Sequence, residues 1–189
     1  GECRQRPAPR GHTRGMRRRI PALLLAGIAA LWSTGAAAAP PAAVPIADGV
    51  RWLPGGFAAG RQPDGNTVIF DGPDGSVVVD AGRHVEHTQA IVDALGPRPL
   101  RVVVTTHWHL DHLGGNTLLR TLRPQARFWA SDAVRPALAG WLADSRRQMR
   151  AALESGPVDA ATAAMMRTDL ALIDAGERLA PDVEVAAPH

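Results

Sequence analysis

The chain has 189 residues, with 21 basic residues, all arginine, against 18 acidic ones, for a formal net charge of +3. Seven of the arginines but only one acid, Glu2, lie in residues 1–38, so residues 39–189 carry 14 arginines against 17 acids. This excludes a nucleic-acid-binding role argued from overall charge, because neutralising phosphates needs a basic excess in the folded part. The only cysteine, Cys3, lies in the same leader, which leaves the rest of the chain with neither a disulfide nor a thiolate nucleophile.

Residues 1–15 precede a good start methionine, Met16, and read as non-native upstream sequence. Residues 16–38 have the pattern of a secretory signal. Arg17–Arg19 are followed by the apolar run Ile20–Trp32 and then by small residues, with cleavage expected after Ala38. The apolar run has 13 residues, against the roughly 18 or more of a spanning helix. An uncleaved membrane anchor is the alternative. The signal reading implies a periplasmic or secreted protein that meets a membrane only during export. Residues 39–48, rich in proline and alanine, read as an extended linker, and 49–189 as the domain.

"GVRWL" is a strand candidate. "NTVIF" (Asn66–Phe70) and "SVVVD" (Ser76–Asp80) flank a Gly/Pro/Asp turn and predict a hairpin. "HTQAIVDALG" has helical spacing closed by Gly96. "LRVVVT" (Leu100–Thr105) predicts a buried strand, Asn116–Leu122 a short helix with Asn116 as N-cap, and Arg127–Ala130 another strand. This alternation predicts an α/β layered fold. From Ser131 the spacing predicts a helix to about Glu154 and a second from about Asp159 to Leu179. Val134, Leu138, Trp141 and Leu142 form one apolar stripe, and Met165, Met166, Leu170 and Ile173 another. Such a pair either packs on the body or forms a lid over a site; packing is the favoured expectation.

The chemistry concentrates in "THWHLDHLGGN" (Thr106–Asn116), directly after the buried strand. Zinc takes imidazole and carboxylate ligands. In extended backbone His107 and His109 project to one side, where they can grip one ion, while Trp108 and Leu110 turn to apolar packing. Asp111 and His112 follow a turn and can be directed at a second ion; two such ions about 3.5–4 Å apart can activate a shared nucleophile. Gly114 and Gly115 permit close backbone passage, and the helix after them is expected to aim its N–H groups at the site. Iron or manganese would accept the same donors.

The motif resembles the H-x-H-x-D-H signature of the metallo-β-lactamase-fold hydrolases, and "SVVVDAG" resembles that family's strand ending in Asp-x-Gly, here Asp80 and Gly82. The resemblance covers roughly Gly49 to Ala130. It implies the N-terminal half of an αββα sandwich, followed here by a helical segment. It also implies zinc as cofactor, two ions in the complete enzyme, with His107 and His109 on the first and Asp111 and His112 on the second. Asp80 would support a ligand from behind, or merely cap a turn. The family's further ligands come from its C-terminal half, so the chain reads as truncated. His189, 77 residues after His112, is the one candidate for a further ligand, though "DVEVAAPH" equally fits an ordinary connection. His84 and His87 either line the cleft mouth or belong to a solvated helix start, and the solvated start is the expectation.

The expected function is therefore an exported zinc hydrolase of a small molecule, with Asp111 orienting the hydroxide that attacks an ester, thioester, lactone or β-lactam carbonyl. The alternative is a non-catalytic metal-binding remnant or partner module. No nucleic-acid partner is expected, and neither the substrate nor the oligomeric state follows from these residues.

Overall fold

The structure is a computed structural model that describes residues 42–57 and 60–186. The upstream leader, the signal segment with its cleavage point, and His189 lie outside the described residues.

Seven strands form one sheet in chain order: β1 (Val44–Ala47), β2 (Val50–Leu53), β3 (Thr67–Gly72), β4 (Gly75–Val79), β5 (Leu100–Thr105), β6 (Arg127–Ser131) and β7 (Val183–Val185). Steps from β1 to β4 are antiparallel and those from β4 to β7 parallel. A parallel step needs a long crossover, and helices supply it. Helix α1 (Val85–Leu95) joins β4 to β5. A short α2 (Leu110–Leu113) and α3 (Asn116–Leu122) join β5 to β6. Between β6 and β7 come α4 (Val134–Ala137), a π-helical turn (Leu138–Leu142), α5 (Ala143–Ser155), α6 (Ala160–Ile173) and a 3₁₀ turn (Gly176–Arg178). The chain is thus α/β, as the alternation of patterns predicts.

The register explains the core. Ile69 stands beside Val78, Val78 beside Val103, and Val103 beside Phe128, one buried row across four strands. Ile91 and Leu95 of α1 and Leu119 of α3 close over it. Each such side chain contributes about 1.5–3 kcal/mol by leaving water. The alternate residues face the other way, so Trp52, Val68, Val79, Val104 and Trp129 form a second row. This row is only half covered, with Trp129 40% exposed. A second sheet, as an αββα sandwich implies, is not among the described residues.

Four local expectations need correction. Val44–Ala47, placed in the linker, is the edge strand β1, because extended Pro/Ala backbone can still pair with β2 on its free side. Asn116 is not an N-cap. It is the first residue of α3, and its buried amide donates to Thr105 Oγ1 (3.2 Å) and the Leu179 carbonyl (3.3 Å). The last helix ends at Ile173, not Leu179; Gly176, at φ 55°, turns the chain into the 3₁₀ segment. "DVEVAAPH" contributes β7, which pairs parallel with β6.

Candidate metal centre

Two turns at the ends of neighbouring parallel strands build the site. After β4 comes Asp80-Ala81-Gly82. Asp80 has φ 62°, a left-handed conformation uncommon outside glycine and tolerated by Asp and Asn. Its backbone N–H still bonds the Val104 carbonyl of β5 (2.8 Å). The reversed chain turns its buried carboxylate toward the residues after β5. There it accepts the Thr106 N–H (2.8 Å), the Thr106 hydroxyl (2.8 Å) and Nδ1–H of His112 (2.8 Å).

The Thr106 hydroxyl has one proton and donates it to Asp80, so at 3.0 Å it can only accept from Nδ1–H of His107. One carboxylate therefore holds the tautomer of two histidines, His112 directly and His107 through Thr106. In the neutral tautomer this selects, the lone pair of each ring lies on Nε2. This is how metal-ligating histidines are oriented by the groups behind them. Burial, reinforced by the neighbouring imidazoles of His112 and His109, pushes the His107 imidazole below its usual pKa and favours the neutral, ligating form.

His109 ends the extended stretch and precedes α2; Asp111 and His112 sit on that single turn, whose Leu110 and Leu113 point into the core. The structure brings all four motif groups together. The His107 ring lies 4.6 Å from that of His109 and 4.1 Å from that of His112, and His112 Nε2 is 3.3 Å from Asp111 Oδ2. The donors are of the type zinc prefers, and the second nitrogens of His107 and His112 are held as a ligand requires. Among the described residues, however, no three such side chains converge on one point. Trp108 packs against the Leu110–Leu142–Ile173 cluster, as expected, and also stacks on Trp141 at 6.2 Å between ring centres.

The close backbone passage expected at the paired glycines is present at Gly115, but the glycine N–H groups do not face a ligand. A Cβ on Gly115 would overlap the Ala81 carbonyl and Thr88 Oγ1, so Gly115 lets α3 seat directly on the Asp80–Gly82 turn. The N–H groups at this junction are spent inside the fold, Gly114 on Leu110 and Gly115 on Gly82, rather than offered to a ligand.

Sequence reasoning missed a supporting layer from the loop before β3. Gly65 donates to the Asp111 carbonyl (2.9 Å), and a Cβ there would lie 2.9 Å from the His112 ring. Asp64 accepts the N–H groups of Arg83 (2.7 Å) and His84 (2.9 Å) and contacts His84 Nδ1 (2.9 Å). Burial alone would raise the Asp64 carboxyl, but these bonds prevail and hold it below the usual range. "PDGN" signals a turn; nothing local marks it as a support. His87 is not solvated. It is buried, and since Thr67 Oγ1 donates to the Asp80 carbonyl (2.9 Å), Nε2–H of His87 donates to Thr67 (2.9 Å). Burial holds its pKa down. His84 lines a smaller neighbouring cleft of about 210 Å³.

The helical pair both packs and covers. Leu142 and Ile173 join a core cluster, and α5 and α6 form one wall of a cleft of about 610 Å³ whose other wall carries Trp108, His109 and Asp111. Arg83, also lining this cleft, is paired through Nη1 with Asp169 of α6.

Among solved structures, a metallo-β-lactamase from Pontibacter korlensis is 20% identical, covering 79% of this chain and 54% of its own, with a TM-score of 0.47. One from Hirschia baltica is 26% identical, with 53% and 48% covered and a TM-score of 0.46. The FIM-1 metallo-β-lactamase from Pseudomonas aeruginosa, in its mono-zinc form, is 24% identical, with 52% and 45% covered and a TM-score of 0.44. The chain spans about half the length of these structures. No curated protein matches it. The family model described as "Metallo-beta-lactamase superfamily" matches residues 60–185, a stretch that contains the Asp80 turn and the whole histidine motif, and the chain belongs to that superfamily.

Proposed function

We propose that the chain carries the metal-binding half of an exported, zinc-dependent hydrolase acting on a small molecule. The observation that supports this most is the Asp80 network, which holds Nδ1 of both His107 and His112 and leaves Nε2 as the ligating atom of each ring. His107, His109, Asp111 and His112 would hold zinc, two ions in the complete enzyme. Remaining donors would come from outside the described residues, His189 included. When bound, zinc supplies Lewis acidity, acidifying water and polarising a carbonyl. Asp111, beside His112 at the cleft wall, orients the attacking water and accepts its proton. The superfamily motif leaves ester, thioester, lactone and β-lactam substrates open. The arginine-led apolar segment of residues 16–38 supports export to the periplasm or beyond.

The test is metal content and turnover of the purified chain. Bound zinc, with hydrolysis of a chromogenic ester or β-lactam that is lost in His109→Ala and Asp111→Asn, supports the hydrolase. Zinc bound without any turnover supports the second reading, a non-catalytic metal-binding or partner module.

A further inference from the structure

We infer that the cleft beside the histidine motif selects an uncharged substrate with an apolar acyl group, and that the Arg83–Asp169 pair discriminates against anionic ones. This rests on the hydrolase reading. The cleft, about 610 Å³, has the size of a small-molecule site. One wall presents His109 and Asp111. The facing wall presents Leu142, Met149, Met166 and Ile173, drawn from the π turn, α5 and α6, with Ser145 and Gln148 of α5 at the same wall. Leu142 and Ile173 are 5% and 7% exposed, so they form a fixed floor rooted in the core. Met149 and Met166 are half-buried above it, and their unbranched thioethers adapt to the outline of an aliphatic or aryl group.

The cleft's guanidinium does not offer its charge to a ligand. The Arg83 side chain is 9% exposed, and its Nη1 bonds Asp169 Oδ1, itself 15% exposed. An incoming carboxylate would compete with Asp169 for the guanidinium, and taking Nη1 would leave Asp169 buried and unpaired, which is costly. A neutral acyl group avoids that penalty and gains from the methionine wall.

The full chain, with and without zinc, is titrated calorimetrically with acetamide, butanamide and hexanamide, and with hexanoate. Tryptophan fluorescence locates binding, since Trp108 lines the cleft and stacks on Trp141. The expected result is an affinity rising roughly three- to fourfold per methylene along the amides. Hexanoate should bind at least about tenfold more weakly than hexanamide, and Asp169→Asn should narrow or reverse that gap by freeing Arg83. Met166→Glu should weaken hexanamide, and if that variant does not fold, Met149→Ala should lower the chain-length dependence. Equal affinity along the amide series, or hexanoate binding as tightly as hexanamide, overturns the inference. Length-dependent amide binding by a protein that hydrolyses no ester, thioester, lactone or β-lactam leaves the inference standing and sinks the hydrolase reading. Ester hydrolysis indifferent to acyl length does the reverse.

Discussion

Nδ1 of His112 donates a 2.8 Å hydrogen bond to Oδ2 of Asp80, a residue 32 positions earlier at the end of the neighbouring strand. The same carboxylate accepts from the Thr106 hydroxyl, which in turn accepts from His107. Asp80 therefore sets two ring orientations at once. Asp80→Asn should lower zinc affinity about 10- to 100-fold, the usual effect of removing such a support. Asn tolerates the φ of 62°, so the loss reports on the hydrogen bonds rather than on backbone strain. Competition with a chromophoric chelator measures it, and wild-type affinity in Asp80→Asn would rule the network out as the support of the site.

Thr106→Val separates the two branches. It cuts the relay to His107 and leaves the His112 bond intact. The expected loss of zinc affinity is smaller than for Asp80→Asn, about tenfold or less. Cobalt substitution checks this, because the ligand-field spectrum should change while roughly the same amount of metal is retained. A loss equal to that of Asp80→Asn would mean that Thr106, not the carboxylate, organises both rings.

Gly115→Ala should destabilise the fold. The added Cβ meets the Ala81 carbonyl, which is backbone and cannot swing aside. Overpacking of this kind costs about 1–3 kcal/mol or more. Urea denaturation should show a lower midpoint with an unchanged slope. Exposed Gly140, whose Cβ would meet nothing within 4 Å, is the control, and Ala there should be neutral or slightly stabilising.

Acid should weaken the fold from just below neutrality. Burial lowers the His87 pKa beneath its ordinary 6.5, so the folded protein keeps it neutral while the unfolded chain takes up a proton. Stability from this group is complete above about pH 6.5 and falls as pH drops toward the folded value. Asp64, also lowered, adds a second loss as pH falls below 3.8. His87→Gln retains an N–H donor for Thr67 and should flatten the upper window by up to one proton. Stability measured against pH between about 5 and 7 checks it, and an unchanged slope in His87→Gln would place the effect on other groups.

The hairpin, the buried strand before the motif and the helices of the parallel crossovers were legible in the sequence because each follows a local period: alternation in β3 and β4, helical spacing in α1 and α3. The motif was legible for the same reason, since its four metal-capable groups fall within six residues. The edge strand β1, the end of α6 and the role of Asn116 were not, because pairing partners and tertiary contacts decide them.

What the sequence by itself determined is therefore the α/β class and the set of candidate metal donors. Only the tertiary structure decided what holds those donors. Asp80 reaches His112 across 32 residues, Thr67 reaches His87 across 20, and Arg83 reaches Asp169 across 86. Hydrogen bonds and ion pairs between such distant positions leave no periodic trace in the chain. They exist because parallel pairing of β4 with β5 brings the two turns together, and because α6 packs back over the cleft they form.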